Sequence, residues 1–119
     1  MKKFEIEVYK KENGKEPVKD FLYSLDESIA GKIIKLIDLL EERGNELKEP
    51  YSKPLDNGIF ELRYQNKRQP ARILYFFYYK GKIILTNGFI KKTRKTPKKE
   101  IKRAKRYRKD FIERNENES

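Results

Sequence analysis

The chain has 119 residues, 41% of them charged, with 30 Lys or Arg against 19 Asp or Glu and a formal net charge of +11. It contains neither Cys nor His, which excludes disulfides, iron–sulfur clusters and Cys-based zinc sites and removes the usual general base near neutral pH. The apolar runs are far shorter than the about 20 residues of a membrane span, and the N-terminus lacks the apolar run of a secretory signal. We therefore expect a soluble cytoplasmic protein with no membrane contact, no metal and no cofactor: one domain over residues 1–112, then a polar, disordered tail over residues 113–119.

The N-terminal part has the pattern of one strand followed by two helices. Residues 4–9 alternate apolar and polar side chains, as in a half-buried strand. Pro17 suits the first turn of a helix, whose apolar face would consist of Val18, Phe21, Leu22 and Leu25. Asp26 is the expected N-cap of a second helix that ends at Gly44. The two helices are expected to form a helical hairpin.

The remaining part has the pattern of a loop, three strands and a final helix. Residues 45–58 are rich in Pro, Asn and Gly, which predicts a loop. Strands are predicted over residues 60–65, 71–79 and 82–89, and a last helix from residue 96, with Thr96 as N-cap. The order β-α-α-β-β-β-α predicts an α+β fold, with an antiparallel sheet packed against the N-terminal helical hairpin and a basic C-terminal helix.

The positive charge is concentrated at the start of this last helix and just before it. Residues 91–109 contain twelve Lys or Arg and only one acidic residue, Glu100, so their net charge equals that of the whole chain. Such a segment attracts phosphate backbones or an acidic partner, although a charge run can also be a solvated helix face. The same helix has a narrow apolar seam of Ile101, Ala104, Tyr107 and Phe111.

Two arginines on the strands are candidate site residues. Arg63 follows Glu61 on the polar face of its strand, where the pair is either an exposed ion pair or part of a site. Arg72 stands in an apolar run and would be costly to bury unpaired. It either pairs with a carboxylate such as Glu61 or opens onto a cleft that binds phosphate.

The end of the last strand offers further candidates. Lys91 and Lys92 follow Phe89 there, at a sheet edge of the kind that commonly carries function, although they could also form an ordinary basic loop. Phe89 is either a core residue or, if exposed, a platform on which a base stacks.

These residue types permit cleavage of RNA without a metal. RNA carries its own nucleophile, the 2′-OH, so a protein can cleave it by holding the in-line geometry and neutralising the phosphate. Crowded cations lower the pKa of a Lys from its usual value of about 10.4, so a Lys could be the base.

Three segments together resemble the phage-related HigB-type toxins of the RelE/ParE superfamily: residues 58–63, 71–76 and 88–97, with sequences GIFELR, ARILYF and GFIKKTRKTP. Pro97, Glu100, Ile101, Ala104 and Asp110 are similar to the closing helix of that family. The resemblance extends over about residues 4–111.

The resemblance implies a RelE/ParE-like fold and the toxin of a type II toxin–antitoxin pair. HigB-like toxins are ribosome-dependent mRNA endonucleases. Their partner is a HigA-like helix-turn-helix antitoxin. Operator DNA would be contacted by the antitoxin only, and the ribosome and mRNA are the other expected partners.

The resemblance also implies roles for individual residues. Arg72 matches a strand Arg that contacts the scissile phosphate, Arg63 lies where a neighbouring strand supplies another cation, and Lys91 and Lys92 match a basic pair. Tyr107 comes too late in the helix to receive the role of a RelE tyrosine. The general base stays open between a Lys and Glu61.

The leading hypothesis is therefore a metal-independent mRNA interferase in which Glu61 orients Arg63 or acts as base. Further RNA contacts are expected from Phe89, Arg94, Lys95, Lys98 and Lys102. We expect Arg72→Ala to abolish cleavage and leave the fold and antitoxin binding intact. The alternatives are a ParE-like inhibitor of DNA gyrase and a basic nucleic-acid-binding domain without catalysis.

Overall fold

The computed structural model describes residues 3–117 and contains five strands and three α-helices in that range. The elements are β1 (Glu5–Val8), α1 (Pro17–Tyr23), α2 (Glu27–Arg43), β2 (Ser52–Asp56), β3 (Ile59–Tyr64), β4 (Ala71–Tyr78), β5 (Lys82–Ile90) and α3 (Lys98–Asn117). The predicted α+β class is confirmed. Asp26 does precede α2, but its side chain makes no capping hydrogen bond.

The strands form one mixed sheet in the order β1-β5-β4-β3-β2. Strands β2 to β5 form an antiparallel meander, whereas β1 pairs in parallel with β5, with Val8 opposite Leu85. The prediction of a purely antiparallel sheet was therefore wrong. A parallel pair needs a long connection. Here α1 and α2 carry the chain from β1 to β2 at the opposite edge of the sheet, and the meander then returns so that β5 lies beside β1.

Strand β2 lies in the segment that was predicted to be a loop, and this prediction was also wrong. Lys53 is opposite Glu61, and the register shifts between Pro54 and Asp56. An edge strand tolerates Pro because one side of it needs no ladder hydrogen bonds. Asn57 and Gly58 connect β2 to β3 with positive φ angles of 47° and 81°, as a tight type I′ hairpin requires.

Helices cover both faces of the sheet. On one face, α1 and α2 pack against a core that includes Val18, Ile33, Leu40, Leu62, Ile73, Tyr75, Ile83 and Leu85. On the other, α3 packs against Tyr9, Ile59, Leu74, Phe76 and Ile84 through Ala104, Tyr107 and Phe111. Strand β4 contributes to both cores, as its apolar sequence predicted. Gly88 lets α1 approach β5, since a Cβ there would lie 2.5 Å from the Phe21 ring.

The last helix differs from its prediction at both ends. The Pro97 carbonyl accepts a hydrogen bond from the backbone N–H of Glu100 at 3.0 Å, while the Thr96 hydroxyl donates to Glu61 and does not cap the helix. The buried positions of the helix are Glu100, Ala104, Tyr107 and Phe111. Ile101, which was predicted to belong to the apolar seam, is only half-buried. The helix extends through residues 113–117, which the sequence analysis assigned to the polar tail; residues 118–119 lie outside the described range.

Between residues 3 and 117, no helix has the length and apolar character that a membrane span requires.

Candidate functional site

A basic cleft opens on the α3 side of the sheet, between β2, β3, the β5–α3 loop and the start of α3. Its volume is about 770 Å³. Six cations and two carboxylates are among its lining residues, which are Lys53, Pro54, Leu55, Asp56, Glu61, Arg63, Lys91, Thr93, Arg94, Lys95, Thr96, Pro97, Lys98 and Ile101. The excess of positive charge makes this basic cleft suited to an anionic ligand.

Glu61 lies at the base of the basic cleft and is only 2% exposed. One of its oxygens, Oε1, accepts the Thr96 hydroxyl and lies 3.8 Å from Arg72 Nε. The other, Oε2, lies 3.5 Å from Arg63 Nε. A buried carboxylate needs such partners because desolvation is costly. The Thr96 bond joins the β5–α3 loop to β3 and so helps to shape the cleft wall.

Arg63 extends from β3 into the basic cleft and is held by carboxylates on two sides. Its Nη1 lies 3.6 Å from Oε1 of Glu49, whose side chain is 63% exposed. Since exposed ion pairs are weak, a phosphate can replace Glu49 without great cost. Glu61 is buried and stays in place to orient the guanidinium.

Lys53 is a site residue that the sequence analysis missed. It lines the basic cleft because β2 places it directly opposite Glu61. The missing signal was the β2–β3 hairpin: once Asn57-Gly58 is taken as a two-residue turn, Lys53 falls on the cleft side of the sheet.

Arg72 is buried under the site and does not line the basic cleft. It is 2% exposed, and its Nη1 donates to the carbonyls of Ala71 at 2.8 Å and Tyr64 at 3.3 Å. Desolvation lowers its pKa, the Glu61 carboxylate opposes that shift, and the charge of Arg63 adds to it. Of the two alternatives for Arg72, the structure shows the pairing with Glu61.

Lys91 is half-buried in the wall of the basic cleft, where its backbone N–H donates to the Pro70 carbonyl at 2.8 Å. Its pKa is lowered, first by desolvation and then by the charge of Arg72, against the opposing effect of Glu61; Arg63 and Lys53 lower it further. This is the direction that the crowding of cations predicted for a Lys base.

The other predicted residues fall into two groups. Arg94, Lys95 and Lys98 line the basic cleft with Lys91. Lys92 and Lys102 are exposed outside its lining, and Phe89 is half-buried against the α3-side core. The structure thus does not present Phe89 as the fully exposed platform that base stacking would need.

A buried polar network attaches the start of α3 to the sheet. The Asn87 side chain donates to Glu100 Oε1 at 3.1 Å, and Arg103 donates to the same oxygen at 3.0 Å. The Thr86 hydroxyl donates to Asn87 Oδ1 at 2.7 Å. This network holds the helix turn that carries Lys98 beside the basic cleft. Sequence reasoning missed it because a Thr-Asn pair in a strand has no distinctive pattern.

Comparison with known families identifies the chain's relatives. Residues 20–109 match the family described as "Phage derived protein Gp49-like (DUF891)". The chain belongs to this Gp49-like family. The match covers most of the chain, including β2 to β5 and the residues of the basic cleft. Gp49-like proteins are phage-derived and toxin-like, related to the RelE and HigB toxins. No curated protein matches the sequence.

Proposed function

We propose that this Gp49-like protein is the toxin of a type II toxin–antitoxin pair and a ribosome-dependent mRNA endonuclease that inhibits translation. The observation that supports it best is the basic cleft itself: Arg63 and Lys91 lie with four further cations around one buried carboxylate, at the site that the HigB resemblance marks. The cleft size suits a segment of single-stranded RNA, whose phosphates supply the complementary charge.

The proposed reaction uses the 2′-OH of the substrate as nucleophile. The 2′-oxygen loses its proton to a base and forms a bond to the adjacent phosphorus, while the bond from phosphorus to the 5′-oxygen breaks. The products are a 2′,3′-cyclic phosphate and a fragment whose 5′-oxygen has taken up a proton. Cations fixed around the phosphate stabilise the negative charge that accumulates in the transition state, without a metal.

In this mechanism Lys91 is the base and Arg63 binds the scissile phosphate. Lys91 suits the role because it lines the basic cleft and its lowered pKa increases the neutral fraction near pH 7. Glu61 suits it less, since Thr96 and Arg63 engage its two oxygens. Glu61 and Arg72 are positioning residues that act through Arg63 and Lys91.

The remaining basic residues extend the RNA contacts. Lys53 and Lys98 face the cleft beside Arg63, and Arg94 and Lys95 continue along the loop. Exposed Lys92 and Lys102 lie outside the lining and would contact the mRNA or ribosomal RNA backbone. Phe89 would contribute through packing that orients β5.

The proposed neutralising partner is a HigA-like helix-turn-helix antitoxin. An acidic segment of this antitoxin would compete with RNA for the basic cleft or for the exposed lysines of α3. Only the antitoxin would contact operator DNA.

Mapping of RNA ends tests the proposal. Purified protein is added to ribosomes translating a defined message, and breaks are mapped for wild type, Arg63→Ala and Lys109→Ala. Lys109 is exposed on α3 outside the basic cleft and serves as the matched loss of one cation. We expect codon-positioned breaks with wild type and Lys109→Ala and strong loss with Arg63→Ala.

Three other outcomes would contradict the proposal. Intact message together with an SOS response in producing cells would indicate gyrase inhibition. Salt-dependent RNA binding without cleavage would indicate a non-catalytic binding domain. Equal cleavage by Arg63→Ala and wild type would place the reaction elsewhere on the molecule.

A further inference from the structure

A second, smaller pocket shares Arg63 with the basic cleft. Its volume is about 380 Å³, and it lies between α2 and the ends of β2 and β3. Its lining consists of Lys32, Lys35, Leu36, Pro50, Tyr51, Arg63, Tyr64 and Gln65. Because Arg63 belongs to both linings, the basic cleft and this α2 pocket adjoin at that residue.

The α2 pocket combines cations with exposed aromatic surface. Its lining includes three cations and no carboxylate. Lys32 and Lys35 are three residues apart on α2, so they project from the same side of the helix. Tyr51 is 48% exposed, so much of its ring is accessible to a ligand. The Tyr64 hydroxyl accepts a hydrogen bond from the Asn66 side chain at 3.1 Å, and this bond orients the Tyr64 ring.

We propose that the α2 pocket is a nucleotide-binding subsite for single-stranded RNA, adjacent to the linkage that is cleaved in the basic cleft. One base stacks on Tyr51, Lys32 and Lys35 bind the phosphate of that nucleotide, and Arg63 lies between it and the scissile phosphate. This subsite rests on the proposed function, because it takes the same RNA strand as the basic cleft.

The lining favours RNA over an acidic peptide. A peptide carboxylate would form ion pairs with the two lysines but would not contact the face of the Tyr51 ring. A nucleotide uses both, because every base has a face that stacks on an aromatic ring and every linkage carries a negative charge. Such stacking depends little on base identity, so the α2 pocket would add affinity and register with little sequence preference.

Fluorescence of a labelled RNA tests the subsite. The probe is a single-stranded oligoribonucleotide with a 2′-deoxy residue at the cleavage position, so that it is not cut. A 2-aminopurine base, which is quenched on stacking, is placed at one position after another around that residue. Wild type is compared with Tyr51→Ala and Tyr51→Phe, and with Tyr79→Ala, which removes a 72% exposed tyrosine at the opposite end of β4.

We expect quenching with wild type at a position next to the deoxy residue. Tyr51→Ala should abolish that quenching and weaken RNA binding about tenfold, in the range of one base stacked on one ring. Tyr51→Phe should retain both, and Tyr79→Ala should leave both unchanged. Lys32→Ala combined with Lys35→Ala should weaken binding and reduce its salt dependence.

The outcomes separate this inference from the proposed function. If wild type cleaves translated mRNA while Tyr51→Ala changes neither quenching nor affinity, the subsite is wrong and the proposed function stands. If RNA quenching depends on Tyr51 but no message is cut, the nuclease proposal fails and an RNA site remains. Loss of antitoxin binding by Tyr51→Ala with unchanged RNA binding would make the α2 pocket a protein interface and overturn the inference.

Discussion

The two ends of α3 each combine carboxylates with cations, yet they differ in balance. At the C-terminal end, Asp110 accepts hydrogen bonds from Tyr9 and Arg114, both at 2.6 Å; we call these three residues the clasp. Tyr9 also stacks on Tyr107, with ring centroids 4.6 Å apart. In the clasp one carboxylate meets one cation, whereas the basic cleft has six cations and two carboxylates.

The balance of charge distinguishes an ion pair that stabilises the fold from one that belongs to a binding site. In the clasp, the charges satisfy each other and join α3 to the end of β1. In the basic cleft, two carboxylates cannot neutralise six cations, so the net charge stays positive and favours an anionic ligand. The excess of like charge, more than the presence of ion pairs, marks the site.

The largest effect of a single substitution is expected at Lys91. Replacement by Ala or Arg should lower the cleavage rate by about 10²–10⁴-fold, the usual contribution of a general base. With wild type the rate should rise about tenfold per pH unit below the pKa of Lys91 and then level off, because only the neutral amine accepts a proton. Lys91→Arg keeps the charge but should lose this rise. Single-turnover cleavage on programmed ribosomes measures both.

Lys109→Ala, which removes an equivalent charge outside the basic cleft, is the control for the Lys91 variants. A pH profile of Lys91→Arg identical to that of wild type would contradict the role of Lys91 as base.

The second effect concerns stability at Arg72. Arg72→Ala leaves Glu61 buried with weaker compensation, which should lower the free energy of unfolding by about 3 kcal/mol. This replaces the expectation from sequence that the variant would leave the fold intact. Urea denaturation measures the loss. The double variant Arg72→Met with Glu61→Leu removes both charges and should recover most of the stability without recovering cleavage.

Wild-type stability in Arg72→Ala would show that the ion pair with Glu61 has no energetic role. Recovery of cleavage in the double variant would show that neither residue positions the site.

The smallest effect is expected in the clasp. Tyr9→Phe should lower the free energy of unfolding by about 1 kcal/mol, the usual net value of one hydrogen bond, and should leave cleavage unchanged. The pKa of Tyr9 is raised to about 12, first by burial and then by its bond to Asp110. The folded state therefore holds this proton more tightly than the unfolded chain. The stabilisation is fully present below about pH 10 and is lost as the pH rises toward 12.

Unfolding curves of wild type and Tyr9→Phe at pH 7, 10 and 11.5 test this linkage, with Phe as the reference for all other titrating groups. The difference in stability between the two proteins should shrink at the highest pH. A constant difference would contradict the raised pKa, and loss of cleavage in Tyr9→Phe would contradict the separation of clasp and site.

Local sequence patterns predicted most of the fold but missed contacts that depend on distant segments. The periodicity of β3 to β5 and of the helices was sufficient to place them. The strand pattern of β2 was hidden by Pro54, which only an edge position tolerates. The parallel pairing of β1 with β5 joins distant residues such as Val8 and Leu85. It depends on the two helices and three strands that lie between them in the chain, which no short window contains.

The site was also predicted only in part, because some of its contacts join segments that are distant in the chain. Arg63, Lys91, Arg94, Lys95 and Lys98 do lie together with Glu61 around the basic cleft. The alternation of β3 placed Glu61 on a polar face and left open whether its pair with Arg63 is exposed; in the structure Glu61 is only 2% exposed. Lys53 and Thr96 were missed because their roles depend on the β2 register and on the path of the β5–α3 loop.

The proposed reaction cleaves RNA through the substrate's own 2′-hydroxyl, with cations of the basic cleft around the phosphate. The most direct test is a message with a single 2′-deoxy nucleotide at the mapped cleavage position, translated by ribosomes in the presence of wild-type protein. Cleavage should stop at that linkage and continue at unmodified sites in the same message. Undiminished cleavage at the deoxy position would contradict it.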